Sequence, residues 1–429
     1  MNVYIPIAVM FILLLLEFPV AFSIFVSTMT YFLFFSYLPL MMVVQRIAEG
    51  LSSYALLAIP FFIMAGIFMN HSGISRRLLS FSSLLTGHMA GGLAQVNIVL
   101  STLMGGLSGS NLADAAMNAK LIVPFMLKKG YSKGFSAAVT AASSLITPII
   151  PPGIALILFG YINNVSIGRL FLAGVMPGVM MCVLMMLLVS RIAKKRGYLP
   201  EREKRASMKE IAFGLKDAAI AFTLPIIIIV GIRFGVFTPT EAGAIAVLFS
   251  VIIGAFVYRT MNLRKFQMGL VESVLASANV LVIIAVSYGF SKFLTWEQLP
   301  QNIAAFIAAN VHSQTLFLIL VNFILIILGM FIEGNAILIV LSPLLVAAAK
   351  VMGIDLVHFG IIVILNCAIG TLTPPLGTVM FTTCTIVKVQ VTEFIREVLP
   401  FWLMLVVSLI LVTFIPQISL FLPNLVFGQ

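Results

Sequence analysis

Apolar residues run along this chain in stretches close to the roughly 20 that a helix needs to cross a bilayer. They recur from Val3 to Leu422 with one long polar interruption, Arg191 to Lys216. The pattern predicts an all-α integral membrane protein with about ten to twelve transmembrane helices. Unbroken spans are predicted near 3–26, 28–44, 54–70, 168–190, 218–234, 242–258, 273–293 and 398–422. Four stretches read differently. Those near 92–126 and 315–350 are interrupted by glycine-rich segments, Gly105 to Asn111 and Gly329 to Asn335, and each predicts a re-entrant hairpin. Those near 136–160 and 357–390 are interrupted by proline-rich segments, Thr147 to Gly153 and Thr371 to Thr378.

These interruptions form two matching sets. The glycine-rich segments align at a constant offset, Gly105 with Gly329 and Asn111 with Asn335, and each is followed at a similar distance by its Pro-Pro break. Basic residues orient the sets. Arg76 and Arg77 on one side, and Lys128, Lys129 and Lys133 on the other, make the first hairpin enter and leave from the cytoplasm. Continuing the topology makes the second hairpin enter from outside. Opposed halves of this kind are the mark of an inverted-repeat secondary transporter.

Composition supports lipid as the solvent, with 61% of residues hydrophobic and 9% charged, against about a quarter charged in a soluble domain. The net charge of +11 then reports orientation and not a nucleic-acid partner. On the predicted topology 19 basic residues are cytoplasmic, nine of them in the 191–216 segment, and five are outside: Arg46, Arg169, Arg233, Lys292 and Lys350. Lys120 falls in the first hairpin, and no Lys or Arg precedes Arg46, so the first stretch reads as a retained span with its N-terminus outside. The expected organisation is scaffold spans over 1–91, a first transport repeat over 92–167, scaffold spans over 168–314, a second repeat over 315–390 and a last span over 391–429.

Proline removes a backbone donor and glycine permits strained backbone, so the interruptions leave the helix and free several carbonyls. Each unpaired carbonyl in hydrocarbon costs several kcal/mol, so such backbone survives at depth only when buried in protein or lining a polar cavity. A sodium ion held by tip carbonyls, break carbonyls and Ser or Thr hydroxyls would satisfy them, and two crossings imply two cation sites. The half-helices also turn their N-terminal dipoles inward, which favours an anionic cargo such as a carboxylate.

Single residues carry less. Asp114, in the first turn after the first tip, serves either as a helix cap or as a cation ligand. Glu333 belongs to the second tip, and Glu241 in Thr238-Pro239-Thr240-Glu241 reads as an N-terminal cap. Arg169, Arg233 and Lys292 either snorkel at the outer surface or meet an anion or partner. Trp296 and Trp402 read as interfacial anchors, and His71, His88, His312 and His358 as residues near span ends. Cys182, Cys367 and Cys384 lack metal or disulfide spacing, and the 23 methionines read as apolar filler. No HExxH, GxSxG or CxxC motif and no P-loop occurs, which argues against an enzyme or an ATP-driven pump. A passive channel needs no paired inverted sites.

Four motifs in order, Gly105-Gly106-Leu107-Ser108-Gly109-Ser110-Asn111-Leu112-Ala113-Asp114-Ala115, Thr147 to Pro152, Thr238 to Gly243 and Gly370 to Pro375, resemble the large membrane subunit of the tripartite ATP-independent periplasmic (TRAP) transporters along nearly the whole chain. The resemblance implies an elevator-type, ion-transporter-superfamily fold in a bacterial inner membrane. It further implies sodium-driven import of an organic anion, with sialic-acid members favoured over C4-dicarboxylate members. A periplasmic binding protein would deliver the cargo, and a four-helix small membrane subunit, expected here as a separate chain, would complete the assembly. The alternative is a sodium-coupled anion transporter of the same fold that works without a binding protein.

The resemblance carries one sodium site onto Ser108, Ser110, Asn111, Ser144, Thr147, Pro148 and Pro151. It carries a second onto Gly329, Glu333, Gly334, Asn335, Gly370, Thr373, Pro374 and Thr378. Substrate contacts would come from Ser110, Asn111, Asp114, Pro152, Gly153, Asn335 and Pro375.

Overall fold

A computed structural model describes residues 4–428 apart from 17, 37, 38 and 312; the side chains of 107, 108 and 308 also lie outside the description. Among the described residues the chain is helical, without strands. Seven helices are long and apolar enough to cross a membrane. Much of the rest is built from half-length helices placed end to end.

The N-terminal region departs from its prediction. Instead of spans over 3–26 and 28–44 it forms α1 (Tyr4–Leu15), α2 (Val20–Phe34) and the amphipathic α3 (Leu40–Leu51). Proline explains both breaks: Pro19 and Pro39 each stand directly before a helix, where they bias the preceding residue away from helical backbone. At 1.5 Å per residue the 12-residue α1 reaches only about 18 Å. Ser27 Oγ donates to the Pro6 carbonyl at 2.6 Å, so α1 and α2 fold back on each other as an antiparallel pair.

The predicted third span is a 3-10 turn (Tyr54–Leu57) leading into α4 (Ala58–His71), after which α5 (Ile74–Thr86) forms an amphipathic helix that hydropathy passed over. The first hairpin is α6 (Gly92–Ser108) and α7 (Asn111–Leu121), extended by the short α8 (Val123–Lys128). The first broken crossing is α9 (Lys133–Ser144) and α10 (Ile154–Asn163), followed by the 30-residue α11 (Ile167–Arg196).

The polar segment is shorter than predicted. Helix α11 runs to Arg196, and α12 (Met208–Arg233) starts at a capping box in which Ser207 and Glu210 satisfy each other's backbone N–H. Next come α13 (Pro239–Ile252), running on into a π-helical turn, the 34-residue α14 (Leu263–Trp296) and α15 (Leu299–Asn310). Thr238 and Glu241 form a second capping box at the start of α13, so Glu241 is the cap its sequence position predicts.

The second hairpin is α16 (Gln314–Gly329) and α17 (Gly334–Val351), and the second broken crossing is α18 (Leu356–Gly370) and α19 (Thr378–Val387). The last predicted span, 398–422, is instead two helices, α20 (Val391–Phe414) and α21 (Gln417–Phe427), because Pro416 ends the run.

The constant offset that relates Gly105 to Gly329 governs this architecture. It carries Ile154 and Asn163, the ends of α10, onto Thr378 and Val387, the ends of α19, and it carries the start of α11 at Ile167 onto the start of α20 at Val391. Asn164 and Lys388, equivalent under the same offset, both adopt left-handed backbone at the C-terminal ends of α10 and α19. Each repeat is therefore a hairpin, a broken helix and a long helix. Residues 168–196 form α11, which packs against α21 as well as α6, α10, α18 and α20. Around these repeats lie α1–α5 and α12–α15, with α4 wedged between α13 and α14.

The hairpins enter from opposite faces. At the base of the first, Tyr131 stacks on Tyr198 at 4.3 Å, Arg196 pairs with Glu397 at 2.8 Å, and Arg77 sits 3.4 Å over the Tyr258 ring. These contacts gather the segments rich in Lys and Arg onto one face. The second hairpin leads into α18, whose His358 bonds Ser419 of α21 at 2.7 Å, while Arg169 at the far end of α11 bonds Asn424 of α21 at 2.7 Å. That end is remote from the basic face.

Glycine sets how closely the pieces approach. A Cβ on Gly370 would lie 2.5 Å from the Gly329 Cα, and one on Gly105 would lie 2.8 Å from the Ile150 Cβ. A Cβ on Gly334 meets nothing nearer than 3.4 Å. Gly370→Ala is therefore expected to lower the thermal unfolding midpoint of the purified protein, with an overpacking cost of about 1–3 kcal/mol. Gly334→Ala should leave it unchanged, and equal midpoints for the two variants would refute the close crossing.

Candidate transport site

Eight helix ends meet where the hairpins converge. Helices α6, α9, α16 and α18 bring C-terminal ends, whose last carbonyls lack a partner within the helix, and α7, α10, α17 and α19 bring N-terminal ends with free N–H groups. Each tip is joined to its own break by backbone: Ile154 N–H donates to the Gly109 carbonyl at 3.3 Å, and Leu376 N–H donates to the Met330 carbonyl at 3.2 Å. Pro151-Pro152 and Pro374-Pro375 are both cis.

A side-chain bond joins the first tip to the second break. Asn111 Nδ2 on the first tip donates to Thr371 Oγ1 in the second break at 3.0 Å. Around it lie two cavities that share Asn111, Pro148, Ala155 and Asn335. The smaller, about 80 Å³, is lined by Glu333, Gly334, Thr371 and Thr378. The larger, about 190 Å³, lies between Ser110 and Pro148 on one side and the scaffold residues Gly66, Ile67, Asn70, Ala276 and Val280 on the other. Through Asn70 and Ala113 it adjoins an open vestibule of about 910 Å³ on the basic face, bordered by Arg76, Arg77, Lys120 and Lys265 together with Asp217 and Glu272.

The residues predicted for the first site divide into two groups. Ser110 caps α7, its Oγ accepting from Ala113 N–H at 3.4 Å, and Asn111 and Pro148 line the cavities. Ser144 and Thr147 are fully buried and turned into the protein, Ser144 donating to the Ala141 carbonyl and Thr147 to the Ser101 carbonyl. Pro151 and Pro152 are buried in the break, Gly153 stands at the start of α10, and the Ser108 side chain lies outside the described residues.

In the second set, Glu333 precedes α17 and accepts from Asn335 Nδ2 at 2.7 Å, while Gly334, Asn335 and Thr378 line the cavity. Gly329 and Gly370 form the close crossing, and Pro374 and Pro375 lie in the break that follows it. Thr373 donates to the Ile369 carbonyl and accepts from Trp402 Nε1 at 2.9 Å. Trp402 is thus a prop under the second break instead of an interfacial anchor. Trp296, 52% exposed with Lys292 5.5 Å over its ring, has the surface position predicted for it. Asp114 borders neither cavity and is 1% exposed.

Asn70 and the α14 wall escaped prediction, and Thr371, within the predicted second break, was not singled out. Thr371 had a sequence signal, because the offset between the repeats makes it the equivalent of Thr147. Asn70 was visible only as a polar residue closing an apolar run.

Several polar side chains off the site have local partners. His71 contacts Glu272 at 3.0 Å, His88 contacts Arg205 at 3.1 Å, and Arg233 donates to the Val426 carbonyl. In the loop before α6, partial desolvation and the neighbouring Arg205 and Arg202 push the His88 imidazole below its ordinary pKa. His312 lies outside the described residues.

Comparison with known proteins follows this geometry. A family model described as "Tripartite ATP-independent periplasmic transporter, DctM component" matches residues 7–418. The chain is 38% identical over 412 residues to the sialic acid TRAP transporter large permease protein SiaM of Vibrio cholerae, covering 96% of each. It is 37% identical over 381 residues to the C4-dicarboxylate TRAP transporter large permease protein DctM of Pseudomonas aeruginosa, covering 88% of each. Its fold resembles the Alcanivorax borkumensis YdaH transporter, with a TM-score of 0.63 at 14% identity over 91% of this chain and 89% of that one.

The Asn111–Thr371 bond makes the two repeats one unit. In a double-mutant cycle, Asn111→Ala and Thr371→Val should be non-additive in unfolding free energy by about 0.5–1.5 kcal/mol, the net worth of a buried hydrogen bond. Additive effects would mean that tip and break are independent.

Proposed function

The chain belongs to the DctM component family of the tripartite ATP-independent periplasmic transporters, and on that premise we propose that it is the large permease of a sodium-coupled importer of an organic anion. The observation that carries the reading is the meeting of two opposed hairpin tips and two Pro-Pro breaks around one pair of joined cavities. Carbonyls at the four C-terminal ends, helped by Asn111, Asn335 and Thr378, suit sodium. The four N-terminal ends, with no Lys or Arg lining either cavity among the described residues, suit a carboxylate held by dipoles and amides.

On this reading the basic face is cytoplasmic, as the positive-inside rule requires of the segment around 197–207, and the membrane is the bacterial inner membrane. The cavity between tip and scaffold then opens through the basic vestibule, so the structure corresponds to the inward-facing, releasing state. Transport is the passage of the hairpin-bearing body across the scaffold of α4 and α14. A periplasmic binding protein delivers the anion at the opposite face, and a small membrane subunit covers part of the scaffold. The near-equal identity to permeases named for sialic acid and for C4-dicarboxylates supports an organic-acid cargo and makes these two classes the first to test.

The test is uptake of labelled sialic acid and C4-dicarboxylates into proteoliposomes holding the permease, the small subunit and the binding protein. An inward sodium gradient should drive accumulation of one of them. Asn111→Ala or Asn335→Ala should raise the sodium concentration for half-maximal uptake by about ten- to 150-fold, the effect of losing one bond to a charged group. Uptake indifferent to sodium, or equal sodium dependence in wild type and both variants, would overturn the proposal.

A further inference from the structure

Below the first tip, away from both cavities, α6, α7 and α9 enclose a polar cluster that the other repeat does not reproduce. Asn97, Ser101, Asp114, Asn118, Thr140, Ser143 and Thr147 are each at most 1% exposed. Asn118 Nδ2 donates to Asp114 Oδ2 at 3.2 Å and to Ser101 Oγ at 2.9 Å, Ser101 Oγ contacts Ser143 Oγ at 3.1 Å, and Ser143 donates to the Thr140 carbonyl. Asn97 Nδ2 donates to Thr140 Oγ1 at 2.7 Å. The cluster is one connected network.

It has too many acceptors. Asp114 Oδ1, Asn118 Oδ1 and Asn97 Oδ1 are buried without a hydrogen-bond partner. Neither amide is relieved by turning it round. Asn118 faces a carboxylate, which only accepts, and Thr140 Oγ1 already gives its proton to the Ser136 carbonyl, so the atom facing it from Asn97 must be the donor. Among the described residues no cation pairs with Asp114. A buried carboxylate without a counter-charge costs several kcal/mol, and a lone amide oxygen adds to that.

The equivalent positions of the second repeat show what the fold needs at these places. They are Val321, Leu325, Leu338, Ile364 and Cys367 for Asn97, Ser101, Asp114, Thr140 and Ser143, while Asn118 and Thr147 correspond to Ser342 and Thr371. The carboxylate of Asp114 and the amide of Asn97 therefore have no polar counterpart in the second repeat, and the same hairpin geometry forms there without them.

We propose that Asp114, Asn118 and Asn97, with hydroxyl oxygens of Ser101 and Thr147, form a further sodium site, distinct from the two break sites. The donors are all oxygen, which suits a hard cation, and a single carboxylate matches a single positive charge. The site rests on the proposed sodium coupling, and adds an ion to it. Because Thr147 belongs to the first break while Asp114 follows the first tip, occupancy pins tip, break and the intervening α6 together.

The measurement is binding of ²²Na⁺ to the purified complex with its small subunit, counted per large subunit. Wild type should bind three ions and Asp114→Asn two. Asn97→Val, which installs the second repeat's residue, should weaken one site about tenfold without removing the others, and remains informative should Asp114→Asn not assemble. Asn111→Ala combined with Asp114→Asn should lose one ion and weaken the binding of a second. Asp114→Asn and Asn97→Val binding as many ions as wild type with the same affinity would overturn this site. Wild type binding no sodium would instead overturn the sodium coupling on which it rests.

Discussion

Backbone that leaves a helix inside a bilayer has to find its hydrogen bonds within the protein, and this one requirement organises the molecule. Four interruptions create eight helix ends at depth, more than any single tip could shield. Placing them together lets each tip bond its own break, through Ile154 to Gly109 and Leu376 to Met330, and leaves the remaining groups facing small shared cavities instead of lipid. The close glycine crossing of Gly329 on Gly370 follows from the same need, because any side chain there would hold the tip off the break. The functional reading rests on that convergence: partial charges of both signs, fixed by helix geometry, are concentrated where an ion and an anion could use them.

Much of this was legible because interruptions in apolar sequence are rare and costly. Gly105 to Asn111, Thr147 to Gly153 and their equivalents at Gly329 to Asn335 and Thr371 to Gly377 announced the repeats, and helix ends as far on as Asn163 and Val387 keep that spacing. Hydropathy was poorer at boundaries. A window as long as a membrane span cannot see that Pro19, Pro39 or Pro416 cuts an apolar run, and it overlooks amphipathic helices such as α5 whose polar face dilutes the signal. Conversely, α11 and α12 run on into charged sequence because long basic side chains near a helix end are well placed in water.

The site was legible in its backbone and obscure in its walls. Glycine and proline mark where chain leaves the helix, but nothing in Gly66, Ala276 or Val280 distinguishes a cavity lining from ordinary packing. Trp402 was misread for a related reason. An aromatic near a span end usually marks the interface, and only tertiary structure reveals that its indole N–H reaches Thr373. The hydroxyls and amides of α6, α7 and α9 were individually unremarkable in sequence, since small polar residues are tolerated in membrane helices that pack on one another.

The distribution of polar contacts also bears on which parts can move. Within the paired repeats, side-chain bonds cross between elements distant in sequence: Asn111 to Thr371, Asn163 to Ser342, Asn366 to Asn322 and Asn322 to Thr413. Such bonds in a dry interior hold the repeats as one body, because breaking any of them strands a buried donor or acceptor. Toward the scaffold the central cavity is faced by Gly66, Ile67, Ala276 and Val280 together with Asn70, whose Oδ1 already accepts from Ser75 on its own side, so little must be re-paired if the surfaces slide. Tyr161 Oη does meet Tyr288 Oη across that boundary at 2.8 Å, and phenol groups can exchange such a bond for water or for another hydroxyl. A body knit by buried amides against a wall of small and apolar side chains is the arrangement that lets sliding cost less than internal rearrangement. On the proposed importer reading, that difference, and not the hairpins alone, favours displacement of the whole paired unit.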